Sequence, residues 1–202
     1  MAATKQVVAI HGGDSYATYE EFFKNLTKIV LNFEWLSLGD WKRNLQATLG
    51  DGYEVILPRM PNAQNAKYQE WKIWFEKYIP HVEDGVILVG HSLGGVFLAK
   101  YLSENEFPKR ISGTFLVAAP YDKDGDRTLV EFDITTSLEG LARQGGHLFL
   151  YHSEDDPVVG FSELEKFRAQ LPQATIRTFT DRQHFNQETF LEILEDIRSV
   201  AS

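Results

Sequence analysis

Short apolar runs alternate along this chain with longer segments in which apolar residues recur every three or four positions. The runs contain Val, Ile, Leu, Phe and Tyr with little polar alternation, which is typical of strands buried on both faces. They predict strands at residues 6–10, 53–57, 86–89, 114–117, 148–151 and 176–178. The helical period predicts helices at residues 19–31, 68–78, 95–103, 161–170 and 187–200. This alternation favours right-handed crossovers and an α/β fold, a three-layer α/β/α sandwich around a mostly parallel sheet of about six strands.

Two stretches follow neither pattern clearly. Residues 32–50 include Trp35 and Trp41, and residues 118–146 are the least regular part of the sequence. Neither stretch has the composition of a linker, and we find no internal repeat or low-complexity tract. We therefore expect a single domain spanning residues 1–202, without a separate lid domain.

Composition narrows the classes of function. The 29 acidic and 20 basic residues give a formal net charge of −9, which disfavours nucleic acid and anionic membrane surfaces as partners. The chain has no cysteine, which excludes disulfides, thiolate zinc sites and a cysteine nucleophile, and fits a reducing compartment. No apolar run reaches the length of a membrane span, and the N-terminus lacks the pattern of a signal peptide. We expect a cytoplasmic protein without membrane contact.

The main candidate for chemistry is a serine between glycines. Residues 86–99 read VILVGHSLGGVFLA, so Ser92 follows a predicted strand and precedes a predicted helix, at the strand end where sites of parallel sheets form. Gly90 and Gly94 complete the G-x-S-x-G pattern of a nucleophile elbow, whose tight turn excludes side chains on either side. A phosphate loop is excluded because Val96 and Phe97 stand where Lys and Ser or Thr are required. The alternative is a glycine-rich turn with an incidental serine.

An elbow serine needs a base and an orienting acid, and this motif predicts the chain order Ser, Asp or Glu, His. The base that fits is His184, in DRQHFN after the last predicted strand. For the acid, HSEDDPVV after the preceding strand offers Asp156 first, Asp155 second and Glu154 third. The other histidines fit the role less well by order or position: His11, His81, His91, His147 and His152.

Attack by a serine on a carbonyl also needs two N–H donors for the oxyanion. The elbow supplies the N–H of Leu93. The loop after the first strand, AIHGGDSY, supplies the second, because Gly12 and Gly13 allow the backbone to approach a substrate closely. We favour the N–H of Gly13. The alternative is that these glycines only form a tight turn.

Substrate contacts are harder to predict than catalytic residues. Tyr16, Tyr121 and Val158 each follow a predicted strand or the candidate acid, so they are our candidates for substrate binding, although each fits ordinary packing as well. We expect no cofactor and no metal. There is no H-E-x-x-H motif, and the acidic loop at residues 122–133 has Arg127 where a calcium loop requires glycine. We interpret this loop as solvated surface.

Taken together, HGG, GHSLGG, HSEDDPVV and DRQHFN resemble the motifs of the α/β-hydrolase superfamily. Residues 57–71, LPRMPNAQNAKYQEW, are similar to a segment of the small lidless serine hydrolases related to retinoblastoma-binding protein 9 and bacterial YdeN-like proteins. The resemblance covers nearly the whole chain. It implies a compact α/β-hydrolase fold with Ser92 as nucleophile, Asp156 as acid and His184 as base. It also implies hydrolysis of small esters, amides or thioesters.

The sequence therefore predicts a serine hydrolase that cleaves small carboxylic esters through an acyl-enzyme, with a small-molecule acyl substrate as its partner. Two alternatives remain. The chain could be a catalytically silent binding protein that kept the fold. It could also be an acyltransferase or perhydrolase, which uses the same triad.

Overall fold

Six parallel strands form the centre of the structure, a computed structural model that describes residues 4–31, 40–122 and 129–201. The strands lie in the order β2-β1-β3-β4-β5-β6 across one sheet. Their bounds are β1 Lys5–Ile10, β2 Tyr53–Ile56, β3 Val86–His91, β4 Ile111–Val117, β5 His147–Ser153 and β6 Thr175–Phe179. Each predicted strand is present, and the prediction of a mostly parallel sheet is confirmed.

Seven α-helices lie within the described ranges. They are α1 Tyr19–Leu26, α2 Trp41–Leu49, α3 Tyr68–Tyr78, α4 Leu93–Glu104, α5 Glu139–Gln144, α6 Ser162–Gln170 and α7 Leu191–Val200. Helices α3, α4, α5 and α6 contribute to the core on one face of the sheet. Helices α2 and α7 contribute to the core on the opposite face. The predicted three-layer sandwich is therefore confirmed.

Burial on both faces explains why the inner strands β1, β3, β4 and β5 are rich in consecutive apolar residues. In β1, Val8 and Ile10 point into one core while Val7 and Ala9 point into the other. All four are fully or almost fully buried. Since successive side chains of a strand point to opposite faces, a sheet covered by helices on both sides needs apolar residues at every position.

Helix α2 lies in a stretch for which the sequence predicted no element. The side chain of Asp40 accepts a hydrogen bond from the N–H of Arg43 and caps the helix. Trp41, Leu45 and Leu49, spaced by four residues, are buried against the sheet. This placement carries the first turn of α2 towards the carboxyl ends of the strands, where the candidate site lies.

Some expectations need correction or fall outside the described ranges. Helix α1 ends at Leu26 rather than at residue 31. Trp35 and residues 123–128 lie outside the described residues. Leu129 and Phe132, near the end of the predicted acidic loop, are buried in the core, so the interpretation of solvated surface is wrong there. Within the described ranges, no helix combines the length and apolarity needed to cross a lipid bilayer.

Candidate active site

Ser92 sits at the sharp turn between β3 and α4. Its backbone has φ 55° and ψ −122°, a region that residues other than glycine rarely adopt. A Cβ atom on Gly90 would lie 2.4 Å from the carbonyl oxygen of Gly94, and one on Gly94 would lie 2.5 Å from that of Ile10. Side chains are therefore excluded two residues before and two residues after the serine. The N–H of Ser92 donates to the carbonyl of Val117 at 2.8 Å, which ties the turn to β4.

A buried carboxylate and an imidazole meet beyond the ends of β5 and β6. Oδ2 of Asp156 lies 2.8 Å from Nδ1 of His184, and the aspartate side chain is 0% exposed. Oδ1 accepts the N–H groups of Val158 and Val159 at 2.8 and 3.0 Å. Burial alone would raise the pKa of Asp156, but the imidazole and the two amides hold this pKa below its ordinary value. The ionised carboxylate then accepts Nδ1–H of His184, which leaves the lone pair on Nε2.

The other two acid candidates do not contact the imidazole. The carboxylate of Asp155 accepts hydrogen bonds from the hydroxyl of Ser153 and from the N–H of Gln183. Glu154 is exposed. Of the three carboxylates in this loop, the structure therefore pairs Asp156 with His184.

His184 lies beside the residue that immediately precedes the serine. The imidazole rings of His91 and His184 have centroids 4.9 Å apart, and Nε2 of His91 lies 2.8 Å from the backbone oxygen of His184. Ser92 is only 4% exposed, and its hydroxyl makes no hydrogen bond in the part of the chain that the structure describes. The expected Ser92–His184 hydrogen bond is thus not formed, although such bonds are often long before substrate binds.

The loop after β1 packs directly against the serine. A Cβ on Gly12 would lie 3.0 Å from Cβ and 3.5 Å from Oγ of Ser92, and one on Gly13 would lie 2.4 Å from the carbonyl oxygen of Ala63. A side chain on Gly13 would therefore displace the backbone at Ala63, and one on Gly12 would press closely against Ser92. Leu93 is the first residue of α4, so its N–H has no partner within the helix.

A cavity of about 590 Å³ opens beside these two backbones. Gly13 and Leu93 both line it, together with Tyr16, Asn25 and Leu129. The hydroxyl of Tyr16 accepts a hydrogen bond from Nδ2 of Asn25. The structure thus brings one of the three predicted substrate contacts, Tyr16, next to both predicted oxyanion donors.

Tyr121 and Val158 do not line this cavity. The ring of Tyr121 packs edge-on against Phe167 with centroids 5.0 Å apart, and its hydroxyl accepts a hydrogen bond from the amide of Gln170. These contacts show the ring packed beneath α6, and a substrate contact by Tyr121 stays a prediction. Val158 is 45% exposed, and its N–H supports the carboxylate of Asp156.

Two further histidines, the half-buried His11 and the buried His152, brace the site loops through their ring nitrogens. Nδ1–H of His11 donates to the carbonyl of Gly12 at 2.7 Å, while Nε2 accepts the N–H of Met60 at 3.0 Å. Nε2–H of His152 donates to the carbonyl of Val159 at 3.0 Å. These bonds leave both rings engaged in the structure of the loops. Among the described residues there is no group of three or more acidic or histidine side chains arranged to hold a metal ion.

The sequence reasoning did not identify Lys42, which lies in the first turn of α2. Its Nζ is 3.2 Å from Nδ1 of His91 and 3.1 Å from Oδ2 of Asp40. Burial lowers the pKa of Lys42, and the charge of Asp40 partly opposes that effect. The capping aspartate and the apolar positions 41, 45 and 49 were the signal that could have revealed this helix.

Sequence comparisons identify relatives of known class. The model of the family described as "Serine hydrolase" matches residues 33–201. The serine hydrolase RBBP9 of Rattus norvegicus is 25% identical over 152 residues, which cover 74% of this chain and 78% of that protein. The putative hydrolase YdeN of Bacillus subtilis (strain 168) is 26% identical over 204 residues, which cover 96% of this chain and 94% of that protein.

Structural comparisons agree on the fold. The crystal structure of the ydeN gene product of B. subtilis superposes with a TM-score of 0.71 at 22% identity, with 98% of each chain covered. A structure from a study of carboxylesterases of Nitrososphaera gargenis gives a TM-score of 0.66 at 14% identity, covering 100% of this chain and 92% of that one. At these identities the likeness shows the compact α/β-hydrolase architecture.

Proposed function

This chain belongs to the serine hydrolase family, and from that premise we propose that it cleaves small carboxylic esters through an acyl-enzyme on Ser92. Thioesters and amides are the alternative acyl substrates. The observation that carries the proposal is the buried Asp156–His184 pair, which lies beside the strained turn of Ser92. A hydroxyl is a poor nucleophile unless a base removes its proton, and this pair supplies an oriented base.

In the first step, Oγ of Ser92 attacks the ester carbonyl carbon while Nε2 of His184 accepts the hydroxyl proton. Asp156 accepts Nδ1–H throughout, so it fixes the tautomer and stabilises the imidazolium that forms. For this step Oγ must turn towards Nε2 of His184, and among the described residues no other hydrogen bond holds the hydroxyl against that rotation. The carbonyl oxygen becomes an oxyanion.

We propose that the N–H groups of Leu93 and Gly13 donate hydrogen bonds to this oxyanion. Leu93 starts a helix of 12 residues, so the positive end of the helix dipole also faces the developing charge. Gly13 lines the same cavity. Loss of one such donor costs on the order of 10²–10³ in rate in other serine hydrolases.

The tetrahedral intermediate then collapses and expels the alcohol, which leaves with the proton that His184 holds. Water attacks the acyl-enzyme in the second half of the reaction, and Nε2 of His184 takes its proton. Collapse of the second intermediate returns this proton to Oγ of Ser92 and releases the carboxylic acid. Atoms and charge balance without a metal or an organic cofactor.

Purified protein assayed with p-nitrophenyl esters from acetate to octanoate tests the proposal. We expect hydrolysis by the wild type and a loss of about 10⁴-fold or more in kcat for Ser92→Ala. Ser103→Ala is the matched control, because Ser103 lies on the same helix and its hydroxyl donates to the carbonyl of Ala99 within that helix. This control should retain activity.

The assay also separates the alternatives. A folded wild type that hydrolyses no member of the panel supports the silent binding protein. Product formation that requires an added alcohol or hydrogen peroxide supports an acyltransferase or a perhydrolase.

A further inference from the structure

A buried lysine, Lys42, contacts His91, whose ring packs against that of the candidate catalytic histidine, His184. We propose that Lys42 is a positioning residue: it keeps His91 neutral in the Nε2–H tautomer, and His91 in turn holds the backbone of His184. The inference rests on the proposed function, because positioning matters only if His184 acts as a base. Within the described residues the polar contacts of Lys42 are with His91 and Asp40, and Lys42 is not among the residues that line the cavity beside Gly13 and Leu93.

The hydrogen-bond partners fix the protonation of the His91 ring. Nε2 lies 2.8 Å from the backbone oxygen of His184, and a carbonyl only accepts, so Nε2 carries a proton. Nδ1 lies 3.2 Å from Nζ of Lys42, and an ammonium only donates, so Nδ1 carries the lone pair. Only the neutral Nε2–H form satisfies both contacts.

Burial and charge favour the same form. His91 and Lys42 are both buried, and the carboxylate of Asp40, 3.1 Å from Nζ, favours the charged form of the lysine against the effect of burial on its pKa. The groups that face His91 are Lys42 from α2, His184 from the loop after β6 and His11 from the loop after β1. Burial first, and then the charges of these groups, push the pKa of His91 well below its usual range.

A neutral His91 matters for catalysis because its ring is packed on that of His184. In the proposed reaction His184 gains a positive charge each time Ser92 is deprotonated. A second imidazolium at this distance would oppose that charge. A protonated His91 would also direct Nδ1–H at the ammonium of Lys42.

The loop that carries His184 needs such support. Gln183 and Phe185, on either side of the histidine, have φ of 47° and 53°, and strained backbones persist only where their surroundings hold them. Trp41 supplies two holding bonds, from Nε1–H to the carbonyl of Phe185 at 2.8 Å and from its backbone N–H to that of Gln187 at 2.9 Å. His91 supplies the bond to the central residue of the loop.

The first test replaces the charge by an apolar chain of similar length in Lys42→Met. His91 can then change tautomer or take a proton, so His184 is held less firmly. We expect kcat for ester hydrolysis to fall about 10- to 100-fold with little change in KM. We also expect the acid limb of the pH–rate profile to move to higher pH. An unchanged profile in a folded, active Lys42→Met would overturn the proposal.

Two further variants separate positioning from stability. Lys100→Met is a matched control, since Lys100 is 8% exposed, against 7% for Lys42, and pairs with Glu104 at 2.7 Å, but its other bond goes to the carbonyl of Asp133. It should lose stability without moving the pH profile. Lys42→Arg retains the charge and should restore most of the wild-type profile. Equal shifts in both methionine variants would contradict the proposal.

Imidazole ¹⁵N NMR reads the protonation of His91 directly and needs no activity. In the wild type we expect a neutral Nε2–H ring throughout the range in which ordinary histidines titrate, around pH 6.5. In Lys42→Met we expect the ring to titrate or to show both tautomers. A wild-type His91 that gains a proton in that range overturns the proposal. If the His91 ring is neutral but the protein has no hydrolase activity, the proposed function is refuted. The positioning role then fails as well, because it depends on that function.

Discussion

Oδ2 of Asp156 and Nδ1 of His184 are 2.8 Å apart although the residues are separated by 28 positions in the sequence. The two loops meet because they follow β5 and β6, which pair in parallel from Phe149 and Thr175 onwards. The carboxyl ends of neighbouring parallel strands lie at the same edge of a sheet. The elbow of Ser92 follows β3 at that edge. The parallel arrangement of β3, β5 and β6 thus brings the segments of Ser92, Asp156 and His184 to the same edge of the sheet.

Replacement of Asp156 by Asn tests its assignment as the acid. The amide would present a donor to Nδ1 of His184, so the imidazole would adopt the tautomer that lacks a lone pair on Nε2. We expect kcat to fall about 10³- to 10⁴-fold with the fold retained. Asp155→Asn is the control, since the carboxylate of Asp155 contacts Ser153 and Gln183 instead, and it should change kcat only a few-fold. A larger loss in Asp155→Asn would reverse the assignment.

The same carboxylate should contribute to acid stability. The pKa of Asp156 is lower in the folded protein than its ordinary value of 3.8, so this residue stabilises the fold fully above the pKa of an unfolded aspartate. The contribution is lost as pH falls from there through the folded pKa. Urea unfolding should therefore show that the free energy of unfolding differs between wild type and Asp156→Asn, and that this difference shrinks as the pH falls from about 5 to about 2. A difference that grows on acidification would contradict the assigned ionisation.

Gly12→Ala tests how tightly the first loop packs on the nucleophile. The added methyl would lie 3.0 Å from Cβ of Ser92, so the serine or the loop must move. We expect kcat/KM to fall about 10- to 100-fold. Gly52→Ala is the control, because its added methyl would meet nothing within 4 Å. Full activity in Gly12→Ala would show that the loop yields without disturbing the site.

Variants of Tyr16 and Tyr121 test which of the two tyrosines contacts the substrate. Tyr16 lines the cavity with Leu93, so Tyr16→Ala should raise KM for the longer acyl esters several-fold, with kcat changed less than about threefold. Tyr121→Phe removes a hydroxyl that bonds to Gln170 and should leave KM unchanged. Steady-state kinetics across the ester panel measure both. A larger rise in KM for Tyr121→Phe than for Tyr16→Ala would place the acyl chain elsewhere at the sheet edge.

The parts of the fold that the sequence predicted most clearly are those whose pattern is set by burial on both faces. β3 and α4 are almost entirely buried, so their apolar runs could hardly be missed. Helix α2 was missed because only Trp41, Leu45 and Leu49 mark its buried face. Helix α5 has six residues, too few for a helical period to be recognised.

The same physical distinction applies to the site. The elbow motif fixes the order of nucleophile, acid and base, which is why a local pattern led to Asp156 and His184. The contact of Lys42 with His91 depends on how α2 packs across the sheet, which no local pattern specifies. A residue after a strand can face either the sheet edge or the core, and no local pattern predicts the packing of Tyr121 against Phe167.

Labelling by a fluorophosphonate probe tests most directly whether His184 activates Ser92 for covalent attack. We expect the probe to modify one peptide, the one that contains Ser92, and we expect labelling to disappear in Ser92→Ala and to fall strongly in His184→Ala. His147→Gln, which replaces an exposed ring at the amino end of β5, should still be labelled. A folded wild type that never reacts, or one that labels equally well without His184, would contradict the account.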